Sequence, residues 1–316
     1  LAILELDSSE YHRITYHENN PGSDKLLICF SPQGGGMGTS GFGTELCARN
    51  GWNHIYVGKA QQSKFRSLTL DRFVTAVFPI IDGRDVMAYG SSAGGYAALY
   101  YGGAINARIL SACPRNSHHP INYRKPLIRR FGEKEIKEKA EAFYHVINLS
   151  DLPRSTHNPV VVYDRLQTKD HRMVQKWVLP AYPDCKIINV PNSGHKPLEK
   201  LKSVGGVSHL VRSFVASVPI DREKLKHKPG SIERRLDDAV EIFEAGDFDR
   251  CAELLCLDLD ILRRAGLFGM YVESVFRSKN QAHKSKFSSR QNEFVALKDK
   301  MKPKMRRKID FITSIP

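Results

Sequence analysis

The stretch DVMAYGSSAGGYAALYYGG, residues 85–103, carries the sharpest chemical signal in the chain. A strand-like run, Asp85–Tyr89, leads directly into Gly90-Ser91-Ser92-Ala93-Gly94, and small residues with helical habit follow. This is G-x-S-x-G between a strand and a helix, the setting in which the pattern presents a serine on a sharp bend. Gly90 and Gly94 lack the β-carbons that would collide there. A serine at a helix N-terminus meets free amides and a helix dipole that favour developing negative charge. Ser92 is the expected nucleophile, and the Ala93 amide one expected oxyanion donor. The plainer alternative is an ordinary tight strand–helix turn.

A second glycine cluster, Gly34-Gly35-Gly36, lies in CFSPQGGGMGTSGFG. It lacks the Gly-Lys-Ser/Thr ending of a phosphate-cradling loop. Gly36–Gly41 fits G-x-G-x-x-G in form, but no helix is expected to open inside it. The next apolar run, His54–Val57, leads to Gly58-Lys59 rather than to an acidic residue, so a nicotinamide site is not expected.

Gly90-Ser91-Ser92-Ala93-Gly94-Gly95-Tyr96 resembles the GSSxGGY elbow of serine esterase branches of the α/β-hydrolase superfamily, a resemblance covering roughly residues 24–218. It implies the chain order nucleophile, acid, histidine. His195 answers to that order, in the loop Pro191–Pro197 (PNSGHKP) after the strand-like KIINV. For the acid, VVVYDRLQTKDH offers Asp164 directly after a strand and Asp170 six residues later. The family's acid usually stands several residues past the strand end, just before a helix. That favours Asp170, ahead of HRMVQKW; its other role would be a helix N-cap, and Asp164 stays open as the alternative acid. The second oxyanion donor is expected from the loop after the first core strand. The family often has His-Gly there, whereas this chain has Ser31-Pro32-Gln33 before Gly34, so Gln33 or Gly34 is expected. Pro32 has no N–H to give. No cofactor and no metal are implied.

The elements that must position these residues alternate. Expected strands are Leu26–Phe30, His54–Val57, Asp85–Tyr89, Arg108–Ser111, Val160–Tyr163 and Lys186–Val190. Helices are expected near Thr44–Asn50, Leu68–Ile80, Ala93–Tyr101 and Arg172–Leu179, with another after Pro197. Near-continuous apolar strands interleaved with helices imply an α/β fold, a mostly parallel sheet with helices on both faces. Ile3–Leu6 and Arg13–His17 suit an antiparallel edge hairpin. The alternation breaks at about 114–157, an insertion long enough to suggest a cap. Its Arg124, Lys125, Arg129 and Arg130 suit an anionic substrate. The expected organisation is a hydrolase-like domain over 1–220 with that cap, a linker and helical hairpin over 221–276, and a basic tail over 277–316. The hairpin, on either side of Gly246, is similar to one unit of a tetratricopeptide-type repeat, but no second copy follows.

Charge and cysteines bound the rest. Lys and Arg total 48 against 34 Asp and Glu, a net charge of +14. Twelve of those basic residues lie between Arg277 and Lys308, opposed by Glu293 and Asp299, so most of the imbalance belongs to the C-terminus. Such a tail could contact a protein or an anionic polymer, nucleic acid included. No apolar window approaches the roughly 18 residues of a transmembrane helix. The six cysteines form no C-x-x-C pair, disulfide framework or zinc spacing, which suits free thiols in a reducing cytoplasm. The leading expectation is a serine hydrolase acting on a small-molecule or glycan acyl ester, or a thioester, through an acyl-enzyme. An acyltransferase would use the same triad. A non-catalytic interaction protein on the same scaffold is the competing class.

Overall fold

The computed structural model describes residues 2–61, 63, 65, 67–116, 129, 132–134, 149–256, 267–299 and 301–314. The chain divides into two compact units, 1–225 and 226–316.

The first unit is built on eight strands: β1 (Ala2–Ser8), β2 (His12–Glu18), β3 (Lys25–Phe30), β4 (Asn53–Lys59), β5 (Asp85–Ser91), β6 (Arg108–Ala112), β7 (Val160–Tyr163) and β8 (Lys186–Asn189). Their order in the sheet is β1-β2-β4-β3-β5-β6-β7-β8. β1 and β2 form the antiparallel edge and every pair from β4 to β8 is parallel. Alternation along a strand decides which layer each residue joins. Leu26, Ile28 and Phe30 of β3 pack with Phe73 and Val77 of α2 (Leu70–Ile81) and Ala97 and Tyr101 of α3 (Ala93–Ala104). Leu27 and Cys29 face the other way. They join Cys47 of α1 (Thr44–Asn50), Leu201 of α5 (Pro197–Ser203) and Leu210 and Phe214 of α6 (Gly206–Val215). Both faces are thus covered, which is why β3 reads as an unbroken apolar run.

After β3 the chain crosses to β4 on one side; after β5 it crosses to β6 on the other. The register pairs Phe30 with Gly90 and Ser91 with Ala112, so the carboxyl ends of β3, β5 and β6 lie level. A crevice outside the strand ends at such a reversal is where ligands bind in open α/β sheets.

One expected helix differs. Its α-helical part is α4, Thr168–Met173, which continues as a π-helical turn over Val174–Val178. Asp170 therefore sits inside the first turn, not ahead of it, because the helix starts from Gln167. Of the cap residues, Arg129 is exposed; Arg124, Lys125 and Arg130 lie outside the described residues, as does most of 114–157.

The second unit contains α7 (Ile232–Glu244), α8 (Phe248–Leu255), α9 (Leu267–Arg277), α10 (Gln281–Ser289), α11 (Val295–Lys298) and α12 (Pro303–Thr313). Ser231 and Asp247 cap α7 and α8 by accepting from the Arg234 and Arg250 amides. Gly246, at φ 83°, makes the bend between them. The stretch expected as a basic tail is instead helical and shares this unit's core. Phe287, Phe294, Ile309 and Ile312 are buried, and Phe287 and Phe294 stack 5.1 Å apart next to Phe268. The basic residues mask amphipathic helices whose apolar positions are sparse but sufficient to bury one face. Some of the charge is also paired: Lys308 binds Glu273, and Lys298 reaches Asp310 at 2.6 Å.

Candidate active site

Ser92 stands between β5 and α3 with φ 57° and ψ −117°, a conformation that costs a side-chain-bearing residue about 1–3 kcal/mol. Backbone bonds hold it there: its amide donates to the Ala112 carbonyl at 2.9 Å, and its carbonyl accepts from Arg115 at 3.1 Å and Tyr96 at 3.0 Å. The flanking glycines are required by close approach. A β-carbon on Gly90 would fall 2.0 Å from the Gly94 carbonyl oxygen, and one on Gly94 2.3 Å from that of Phe30. The bend thus packs β5, α3 and the end of β3 backbone to backbone. Ala93 opens α3, where its amide has no intrahelical acceptor.

Ser92 Oγ lies 2.8 Å from His195 Nε2, and His195 Nδ1 lies 2.7 Å from Asp170 Oδ2. A carboxylate can only accept, so Nδ1 carries the proton and Nε2 is left to accept from the serine hydroxyl. Asp170 is fully buried. Its other oxygen, Oδ1, accepts from Arg115 Nε at 2.9 Å and from Arg115 Nη2. Both carboxylate oxygens are therefore engaged, and the guanidinium balances a charge that would be costly to bury alone.

Burial lowers the basicity of the His195 imidazole. Its hydrogen bonds with Asp170 and the Cys113 sulfur, together with the negative charge of Asp170, outweigh this and raise it from 6.5 to about 9. Cys113 follows β6 at φ 37°, with Sγ 3.6 Å from the His195 carbonyl oxygen.

Asp164 lies elsewhere in the same loop cluster. It is buried after β7 and accepts from the Gly194 amide at 2.8 Å and the Leu166 amide at 2.9 Å. Burial raises its carboxyl against those amide bonds. Asp164 holds the loop that carries His195 and has no bond to the imidazole.

The loop after β3 is held by side chains from the neighbouring strands. Lys59 Nζ donates to the Gln33 carbonyl at 3.1 Å and the Tyr56 hydroxyl to that of Gly36 at 3.1 Å. Arg13 donates to the Met37 carbonyl, and Thr15 and His17 both reach that of Thr39. A trans peptide points its C=O and N–H in opposite directions. The bond from Lys59 therefore turns the Gly34 amide away from the ammonium.

Sequence reading missed Arg115, Asp164's role under the His195 loop and this set of clamps. Arg115 carried no signal, standing at the edge of an insertion. A run of polar residues on β2, Arg13, Thr15 and His17 at period two, was the available hint for the clamps.

Two groups of potential metal ligands occur among the described residues, Cys113–Asp170–His195 and Cys29–Cys47–His54. A separate cavity of about 620 Å³ lies by Arg108, Val160 and Lys186, at the opposite end of the strands from Ser92. No helix among the described residues is long and apolar enough to cross a membrane.

No protein-family model and no curated protein sequence matches the chain. Solved structures do. Acetyl xylan esterase 1 from a Thermoanaerobacterium species is similar at 16% identity and TM-score 0.47, over 65% of this chain and 78% of its own. Alpha/beta hydrolase domain-containing protein 10 from mouse is similar at 13% identity and TM-score 0.46, over 69% and 99%. An α/β serine hydrolase without lid from Xanthomonas campestris is similar at 16% identity and TM-score 0.42, over 69% and 96%. At this distance the activities of those proteins say nothing of this chain's, which must be argued from its own residues.

Proposed function

We propose that the chain is a serine hydrolase that cleaves an acyl ester or thioester through an acyl-enzyme. One observation carries this reading: a strained serine whose hydroxyl meets a histidine at 2.8 Å, the histidine in turn meeting a buried carboxylate at 2.7 Å. A structural serine has no need of such a relay, nor of a backbone held at φ 57°.

In this mechanism Ser92 Oγ attacks the acyl carbon while His195 Nε2 takes its proton. The carbonyl oxygen gains the negative charge and is met by the Ala93 amide and by one from Gln33 or Gly34. The tetrahedral adduct collapses, and His195 returns the proton to the departing alcohol or thiol. Water then attacks the acyl-serine with His195 again as base, releasing the acid and restoring Ser92. Asp170 keeps the imidazole in the Nδ1–H tautomer and stabilises its cation. Arg129 and its neighbours in sequence, Arg124, Lys125 and Arg130, suit an anionic acyl substrate. Six free thiols suit a reducing compartment, the cytoplasm.

Labelling with a fluorophosphonate, mapped by peptide mass, tests the reading. Modification at Ser92, absent from Ser92→Ala, is the expected result. Labelling at Ser91, or undiminished ester turnover in Ser92→Ala, would overturn it.

A further inference from the structure

Cys29, Cys47 and His54 come from three different elements, β3, α1 and β4, and all are fully buried. One ligand atom from each lies within 4.8 Å of the others. From this arrangement we propose that Cys29, Cys47 and His54 form a structural zinc site between the sheet and α1.

The imidazole is already oriented as a ligand. His54 Nδ1 is 2.9 Å from the Leu27 carbonyl oxygen, which can only accept, so Nδ1 carries the proton and Nε2 presents its lone pair. A backbone carbonyl on the far nitrogen is the usual support of a metal-bound histidine. Nε2 accepts the Thr44 hydroxyl proton at 3.0 Å; zinc would displace that hydrogen bond, with water as the fourth ligand.

Zinc bonds of about 2.3 Å to sulfur and 2.0 Å to nitrogen set tetrahedral ligand atoms roughly 3.5–3.8 Å apart. The three side chains need to close by only about 1 Å. Two thiolates also neutralise Zn²⁺, so the filled site adds no net charge to an apolar layer. Gly43, at φ 87°, makes the approach possible, since a β-carbon there would lie 2.3 Å from Cys29 Sγ. The burial of all three ligands implies that the ion is taken up as the chain folds.

The location gives the ion a purpose. Cys29 stands two residues before the loop that begins at Ser31, and Thr44 and Cys47 stand just beyond its end. Zinc would staple both ends of the loop assigned the second oxyanion donor. The site itself does not depend on that catalytic reading.

The test is the metal content of the full chain, expressed with added zinc and purified reduced and without chelator, followed by Co²⁺ replacement. About one zinc per chain is expected, with a thiolate-to-Co²⁺ charge-transfer band and tetrahedral visible bands. Cys29→Ser and His54→Ala should each lower retention at least about tenfold. Cys113→Ser should retain zinc, because its sulfur belongs to the other group. The wild-type stoichiometry and Co²⁺ spectrum decide the matter if the variants fail to fold. Zinc well below one per chain, a Cys29–Cys47 disulfide in the reduced preparation, or loss of zinc in Cys113→Ser alone would overturn the proposal. None of these readouts measures hydrolysis, so failure here leaves the serine-hydrolase reading standing, and the reverse.

Discussion

The two units of the chain handle polar groups and backbone differently. In residues 1–225 the buried set includes His12, Thr15, His17, His54, Lys59, Asp164 and Asp170. In 226–316 the buried polar residues described are Asp237, Ser274 and Ser278. Every described non-glycine residue with positive φ also lies in the first unit, at Phe65, Ser92, Asn106, Cys113, Asn192 and Ser217. The helical unit keeps its core mainly aromatic and aliphatic, with Asp237 the one Asp, Glu, Lys, Arg or His buried there among the described residues. Strain and buried charge persist only where the surroundings over-determine them, and such positions gather at functional sites. The contrast agrees with the proposed Ser92 site, which lies in the sheet unit, among the strained and buried polar residues.

The largest effect expected is at the centre of that contrast. Ser92→Ala should lower kcat for a small ester by at least about a thousandfold. Its melting temperature should stay within a few degrees of the parent, because only the hydroxyl is lost. Steady-state kinetics and thermal unfolding on one preparation check both.

The two buried aspartates sharpen the comparison within the sheet unit. Asp170→Asn should lower kcat by about a hundredfold or more, since the imidazole loses the acceptor that fixes its tautomer. Asp164→Asn keeps an oxygen for one of the two loop amides and should cost about tenfold or less. A reversed order would make Asp164 the acid and break the assignment.

Phe287→Ala probes the other side. It empties a fully buried position that contacts Phe268, Tyr271 and Phe294. A cost of about 3–5 kcal/mol in stability is expected, read by denaturant unfolding. Ester turnover in native buffer should be unchanged while the sheet unit stays folded; a parallel loss of turnover would mean the units are not separable in function.

The smallest effect is a shift in a pH profile. The base acts only when His195 is neutral, so an imidazole at about 9 makes kcat/KM climb as pH rises and level off above about 9. The Cys113 sulfur contributes to that elevation. Cys113→Ala should therefore move the ascending limb to lower pH, leaving the plateau close to its original height. A limb that stays in place or moves up would remove Cys113 from the account of His195's basicity.

Local signals in the sequence determined a good deal. The glycines around Ser92 are dictated by backbone approach within a few residues, so G-x-S-x-G marks the bend before any tertiary contact is known. The apolar runs Leu26–Phe30 and Val160–Tyr163 follow from burial on both sheet faces, which fixes composition along a single strand. The order Ser92, Asp170, His195 is a linear property. Tertiary structure decided what depends on distant segments meeting. Which of Asp164 and Asp170 faces the imidazole depends on how α4 starts, and Gln167, with no side-chain capping bond, gives no local sign of it. Arg115 reaches Asp170 across 55 residues of chain. Cys29, Cys47 and His54 share no spacing rule, because strand pairing and the seating of α1, not sequence distance, bring them within one pocket. The basic C-terminus hid its helices for a related reason: charge dominates composition, whereas four buried apolar side chains, Phe287, Phe294, Ile309 and Ile312, dominate the packing.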